Sequence, residues 1–240
     1  MKKLFLILAI TCVAILPFDL LAQEEKSSDF GTSLSVDLFS RYNWRGKNLS
    51  ESPVIQPTME FTYKSFAIGS WASYTTTLGE FQEVDAYLSF TKGPLTLYVY
   101  DYFNVIEGGG PTNNYFEFDP DSTAHSIELI AQTTPFGGFP LAATVGVFVY
   151  GNDRDINGDN YYSTYFELAY PFTLQGNSVN VFCGATPAEG YYSDDLDIVN
   201  VGVTVSREIE VTDKFKLPLT GTFGVNPAQK YPYFVVGFSF

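Results

Sequence analysis

The sequence has few of the residues on which covalent crosslinks and most catalysis depend. Its 240 residues include two cysteines and one histidine. Only Cys183 lies outside the apolar N-terminal segment, and a single thiol cannot form an internal disulfide. Basic residues are also scarce, since 13 Lys and Arg stand against 27 Asp and Glu, for a formal net charge of −14. Such an acidic chain is repelled by phosphate backbones, so nucleic-acid binding is excluded.

Beyond the N-terminus the sequence also lacks any apolar run long enough to form a spanning helix. The N-terminus itself has two lysines, a short apolar run and the small residue Ala22 before a charged stretch. That order is typical of a secretory signal peptide. We therefore predict a signal peptide over 1–22, cleaved after Ala22, and a short periplasmic segment over 23–30. Cys12 lies within the apolar run and lacks the small preceding residue of a lipidation site, so we expect no lipid there.

Apolar and polar side chains alternate along most of the remaining chain, with the period of two that is typical of β-strands. About twelve such segments can be counted, most of them near the 9 to 11 residues with which a tilted strand crosses a bilayer. Aromatic residues make up 17% of the chain, and membrane barrels place them at both lipid interfaces. The segments lie near 32–45, 54–63, 66–74, 83–91, 95–105, 123–133, 141–150, 161–170, 178–186, 196–206, 215–225 and 232–240.

The connections between these segments alternate in kind, which distinguishes a membrane barrel from a soluble sandwich. Short turns such as Lys64–Ser65 alternate with longer acidic loops such as 106–122 and 151–160. Short periplasmic turns and longer outer loops are typical of outer-membrane barrels. We therefore predict that 31–240 is one all-β domain, a transmembrane antiparallel up-and-down barrel of about twelve strands. Its expected location is the outer membrane of a Gram-negative bacterium, in contact with outer-membrane lipid and with both termini periplasmic.

Parity within the segments assigns residues to a lipid face or to the lumen. The first segment places Leu34 and Val36 toward lipid, and Tyr42 and Trp44 share their parity. Asp101 breaks the rule because its parity is that of apolar neighbours, and we expect a β-bulge there. The lumen face carries eight ionisable side chains, which are tolerated at bilayer depth where they face one another or water. These candidate pore-lining residues are Asp37, Arg41, Glu60, Glu83, Asp85, Glu128, Glu167 and Lys216.

The last segment is aromatic and its final residue is Phe240. It resembles the C-terminal insertion signal of bacterial outer-membrane barrels, with Phe238 and Phe240 as the signal residues. The resemblance implies that the barrel-insertion machinery is a partner through this strand. The sequence identifies no other protein partner.

The stretch 40–50, followed by Pro53, resembles the opening of the TorF-type porin family. In that family the first strand runs into a loop with an Arg-Gly pair, ahead of a proline-led second strand. Arg41 stands where the family usually has Asp, and Asn48 where it has Ser. The resemblance covers the first two or three strands and implies an outer-membrane barrel. The matching positions are Ser40, Tyr42, Arg45, Gly46 and Ser50.

The loop after the seventh segment has oxygen-bearing side chains at alternate positions, with Gly158 at the sixth, which is the spacing of a calcium loop. Thr164 replaces the bidentate Glu of an EF-hand, and acidic Asn-Gly loops also form ordinary turns. Calcium at this outer loop is therefore a candidate, and we expect no other cofactor. The candidate ligands are Asp153, Asp155, Asn157 and Asp159.

The chemistry of the chain favours transport over catalysis. His125 is the only histidine, and we expect it to be a solvated residue at the barrel rim. Ser126 follows it directly, and adjacent strand residues point to opposite faces, so the two cannot form a catalytic pair. We predict a channel without enzymatic activity, for passive passage of small cationic or neutral solutes. The alternative is a non-conducting structural or partner-binding barrel whose lumen charges only satisfy one another.

Overall fold

The computed structural model describes residues 29–77, 81–106, 113–213 and 215–240. The predicted signal peptide lies outside these residues. Within them every regular element is a β-strand, and no helix is long and apolar enough to cross a membrane. The strands are β1 (Phe30–Phe39), β2 (Tyr42–Trp44), β3 (Lys47–Ser50), β4 (Val54–Tyr63), β5 (Phe66–Thr75), β6 (Phe81–Lys92), β7 (Leu95–Ile106), β8 (His125–Thr133), β9 (Ala142–Gly151), β10 (Thr164–Leu174), β11 (Asn177–Thr186), β12 (Asp197–Thr212), β13 (Phe215–Asn226) and β14 (Tyr231–Ser239).

Twelve of these strands form one closed antiparallel barrel, and β2 and β3 form a separate hairpin. Each barrel strand pairs with its neighbour in sequence, and β1 pairs with both β4 and β14. The seam between β1 and β14 is short, with Leu38 opposite Phe238 at its centre. Val36 and Phe240 extend it by exchanging backbone hydrogen bonds of 3.1 and 3.0 Å. The predicted all-β, up-and-down barrel of about twelve strands is confirmed.

The two ends of the barrel differ in their connections. One end, here called the turn end, carries the tight turns after β4, β6 and β10 and the connections after β8 and β12. The other end, here called the loop end, carries the β2–β3 hairpin and the segments 113–124, 152–163 and 187–196. Side chains alternate between an apolar outer face and a more polar inner face along the strands. Polar side chains are therefore concentrated in the lumen and at the loop end.

The first predicted segment is wrong in its second half. The barrel strand β1 ends at Phe39, and the chain then bends into the β2–β3 hairpin, so Tyr42 and Trp44 face the barrel interior instead of lipid. Arg45 and Gly46 have positive φ values of 51° and 81° at the hairpin tip. A two-residue turn of this kind matches the twist of paired strands and reverses the chain sharply.

Two further parity assignments need correction. The β6–β7 register runs without a shift past Asp101, so there is no bulge at that residue, and its side chain lies on the outer face. Register shifts occur instead in the β8–β9, β11–β12 and β12–β13 pairings. The β11–β12 shift leaves Val199 without an opposite residue and turns it inward, where it is fully buried although Val201 and Val205, which have the same parity, are exposed.

Candidate functional site: the lumen and its hairpin

The β2–β3 hairpin is anchored within the lumen through its turn. The carbonyl oxygen of Gly46 accepts hydrogen bonds from Asn226 Nδ2 at 3.0 Å and from the Tyr231 hydroxyl at 2.6 Å. A Cβ atom at Gly46 would collide with the carbonyl oxygen of Val199. Glycine is therefore required here both for the positive φ and for the close approach of two backbones.

Arg45 makes the strongest polar contacts of the hairpin. Its guanidinium donates to both carboxylate oxygens of Glu128, at 2.5 and 3.2 Å, and to the Tyr192 hydroxyl at 2.6 Å. Glu128 is 0% exposed and also accepts a 2.7 Å hydrogen bond from Tyr102. A two-point Arg–carboxylate pair fixes both distance and orientation, so Arg45 holds the hairpin tip against the wall formed by β8.

Aromatic rings enclose this ion pair. The Arg45 guanidinium lies 4.4 Å from the ring centroid of Trp44 and 4.8 Å from that of Tyr165. Burial raises the pKa of the Tyr192 hydroxyl, so that group stays neutral as it accepts from Arg45. At the hairpin level the lumen is therefore filled by a packed core, whose buried members are Tyr102, Phe148, Tyr165, Tyr192 and Val199.

Two polar cavities lie on the turn-end side of the hairpin. One, of about 340 Å³, is lined by Arg41, Asn180, Thr204 and other polar side chains. The other, of about 300 Å³, lies beside Trp71 and Asp85. Both volumes are far larger than the roughly 30 Å³ that one water occupies in the liquid. The lower lumen therefore has room for water and small solutes.

The eight predicted pore-lining residues occupy different depths. Glu60 accepts a 2.8 Å hydrogen bond from the Tyr87 hydroxyl, and Glu167 accepts one of 2.5 Å from Tyr165. Lys216 lies apart at the turn end, where it pairs with Glu208 at 3.3 Å on the β12–β13 hairpin. The others are on the inner face or border the cavities: Asp37, Arg41, Glu83, Asp85 and Glu128.

The five motif residues of the TorF-type resemblance all belong to the hairpin or its base. Ser40 continues the seam, where its hydroxyl accepts from the Val236 amide at 3.1 Å. Tyr42 is buried and its hydroxyl hydrogen-bonds the Glu83 carboxylate. Ser50 caps the following turn by accepting from the Ser52 amide at 3.1 Å. Together with Arg45 and Gly46, the motif positions specify an inward-folded hairpin.

The candidate calcium loop uses its carboxylates within the protein. Asp153 is buried, and its two oxygens accept from the Ser163 amide at 2.8 Å and hydroxyl at 2.5 Å. Asp155 accepts from the amides of Asn157 and Asp159 at 2.8 and 2.9 Å, and the Asp159 amide lowers the Asp155 pKa most. In the part of the chain that the structure describes, no three metal-binding side chains converge. Calcium binding at this loop stays a prediction.

His125 is not the solvated rim residue that the sequence predicted. It is 0% exposed on the outer face of the barrel, beneath the segment 113–124. Its Nδ1 lies 2.7 Å from Asp101 Oδ1, and its Nε2 donates to the Tyr115 carbonyl at 2.8 Å. Phe118 stacks on the imidazole at 4.3 Å between centroids. The outward position of Asp101, which breaks the parity rule, is thus explained by the segment 113–124, which covers it.

Comparison with protein families and with curated proteins gives no relative. The sequence matches no protein-family model, and no curated protein is significantly similar to it. The geometry of the lumen therefore carries the functional argument.

Sequence reasoning missed Arg45, Tyr102 and Tyr192 as lumen residues. Tyr192 lies in a loop, where parity assigns no face. Arg45 and Tyr102 have the parity of the lumen face, but parity does not show which residues meet there. The one signal for the hairpin itself was the Arg-Gly pair at 45–46, a sequence that suits a tight turn.

Proposed function

We propose that this chain is a porin-like outer-membrane channel for small cationic or neutral solutes, in which the β2–β3 hairpin is the constriction. The observation that carries the proposal is a closed barrel with an apolar outside, a polar inside and one folded-in hairpin across its lumen. The resemblance of residues 40–50 to the TorF-type porin family supports it, since the matching residues build that hairpin.

A membrane location is supported by the outer face. Leu34 is 76% exposed, Ile68 60% and Phe234 59%, and many neighbours on the barrel exterior are similarly uncovered. Soluble monomers rarely expose continuous apolar surface of this extent, because hydrating it costs roughly 25 cal/mol per Å². Lipid removes that cost. We place both termini in the periplasm and the loop end outside, and an epitope inserted at the fully exposed Ile156 should label intact cells.

Cation preference is supported by the charge of the lumen. Glu60, Asp85 and Glu167 lie on the turn-end side of the constriction, where Arg41 is the facing base. Carboxylate-lined paths with low-dielectric walls concentrate cations and repel anions. Screening over about 8 Å at physiological ionic strength should weaken this preference in concentrated salt.

The test is the reversal potential of the purified protein in a planar bilayer under a KCl gradient. Glu60→Gln should reduce cation preference and leave the barrel folded, because glutamine still accepts from Tyr87. Asp29→Asn is the matched control, since Asp29 is exposed outside the lumen beside Lys64. Anion preference of the wild type would overturn the assignment of the lumen charges.

The second candidate function is a non-conducting structural or partner-binding barrel. The buried aromatic core around Arg45 favours it, because these rings fill the lumen at one level. Absence of conductance both in the wild type and in a variant with a released hairpin would favour this second candidate over the channel.

A further inference from the structure

A third cavity, of about 70 Å³, lies on the loop-end side of the hairpin. Aromatic rings form much of its wall, and two polar side chains of β6 and β7 border it. The rings are those of Trp44, Tyr102, Phe148 and Tyr191, and the polar pair is Glu83 and Asn104.

Each residue of this polar pair has one side-chain oxygen that accepts no hydrogen bond from the described residues. Glu83 and Asn104 are directly opposite each other in the β6–β7 register, so their side chains are neighbours on the inner face. Glu83 is only 4% exposed and hydrogen-bonds Tyr42. Glu83 Oε2 and Asn104 Oδ1 nevertheless have no hydrogen-bond partner among the described residues. Buried acceptors are normally satisfied, so this pair indicates a bound donor or cation.

The chemistry of the cavity selects the class of that ligand. An anion is excluded by the Glu83 carboxylate. Calcium takes six to eight oxygen ligands, whereas Asp153, which also borders the cavity, has both oxygens engaged by Ser163. Aromatic faces attract cations, above all ammonium groups. The cavity is several times the roughly 10 to 15 Å³ that one water needs on the same measure, so it has room for ammonium or a methylammonium group.

The chain already uses one of these rings for an ammonium group. Lys47 Nζ lies 4.0 Å from the ring centroid of Tyr191 and donates to the Tyr191 carbonyl oxygen. Because Lys47 is held by Tyr191, the Glu83 carboxylate remains available to an external cation.

We propose that Glu83, Asn104 and the surrounding rings form a binding site for ammonium or a small primary ammonium group. Binding at this site requires only the folded barrel. Its role in binding cationic solutes on the loop-end side of the constriction, during their passage, rests on the proposed channel function.

Calorimetric titration of the detergent-purified protein with methylammonium chloride tests the site. The wild type should bind methylammonium, whereas tetramethylammonium, which has no N–H to donate to the two unsatisfied acceptors, should bind more weakly. Glu83→Gln should weaken methylammonium binding at least about tenfold, since it removes the carboxylate whose Oε2 has no partner among the described residues. Asn104→Leu should also weaken binding, and it provides a second variant if Glu83→Gln fails to fold. Asp29→Asn, exposed outside the lumen beside Lys64, should bind as the wild type does.

Failure of this inference is distinguishable from failure of the channel function. No methylammonium binding at millimolar concentration, or equal affinity in wild type and Glu83→Gln, overturns the site even if the protein conducts. Binding that depends on Glu83 and Asn104 supports the site even if bilayer recordings show no conductance.

Discussion

Replacing Arg45 with alanine should release the hairpin and raise conductance. In the docked hairpin, Arg45 is the cation that compensates the fully buried Glu128. Without it, the Tyr102 hydroxyl is the one side-chain donor that Glu128 keeps among the described residues. Moving the hairpin away lets water reach the carboxylate, so the substitution destabilises the docked state more than the released state.

The increase in the released population follows from the contacts that Arg45→Ala removes and from those that remain. Removing one partner of a buried ion pair costs about 3 to 5 kcal/mol, and each 1.4 kcal/mol or so is a tenfold change in a population. The released population should therefore rise by about two to four orders of magnitude. Asn226 and Tyr231 still donate to Gly46, and at about 1 kcal/mol each they keep release from being complete.

Single-channel recording is the assay. Arg45→Ala should show frequent larger openings, whereas Arg41→Ala, which removes a lumen arginine that borders the 340 Å³ cavity, should not. A double variant Arg45→Met and Glu128→Met should close again in large part, because it leaves no uncompensated buried charge. Unchanged conductance in Arg45→Ala, or an equal rise in Arg41→Ala, would refute the role of the hairpin as the constriction.

Three further predictions concern the seam and the loops. Phe240→Asp should lower the amount of folded barrel in the proposed outer-membrane location, because Phe240 extends the β1–β14 seam and its side chain is exposed; normal levels would contradict this. His125→Ala should speed proteolysis within 113–124, because the imidazole connects Asp101 to the Tyr115 carbonyl; unchanged protection would show that the other loop contacts suffice. Calorimetry should detect weak calcium binding, with a Kd of about 10⁻⁴ to 10⁻³ M, that is lost in the Asp153→Asn, Asp155→Asn variant; identical titrations would mean that the loop is only a turn.

The barrel was predictable because its signals are local and repeated. A period of two is set by strand geometry alone, so apolar runs such as Val145 and Val147 mark the outer face wherever the strand is regular. The difference between tight turns and long loops then orders the strands without any long-range information. Closure between β1 and β14 needed no separate signal, since an up-and-down sheet of this size closes by pairing its two edges.

The β2–β3 hairpin and the covered Asp101–His125 pair were not predictable, because both depend on distant residues. The alternation from Leu34 to Trp44 is interrupted at Phe39 and Ser40, where an apolar residue takes a lumen position and a polar residue a lipid position. This local break is compatible with a bend, but it does not show that the chain continues into the lumen. What draws Trp44 inward is a wall of rings contributed by β7, β9 and the segment 187–196. Likewise Asp101 is acceptable on the outer face only because His125 and the segment 113–124 cover it.

The docked hairpin also changes how the lumen charges act. Counted from sequence, Glu128 is one of the carboxylates that attract cations, yet in the structure Arg45 neutralises it within hydrogen-bond distance. In the proposed channel, cation preference of the wild type should therefore depend on carboxylates without an arginine partner, such as Glu60 and Asp85. Removing Arg45 frees the charge of Glu128 and deletes a base at the narrowest level. Arg45→Ala, which should raise conductance, should consequently also make the channel more cation-selective. A mere widening of the lumen would instead lower cation selectivity, because selectivity falls as charged walls move apart beyond the roughly 8 Å screening length.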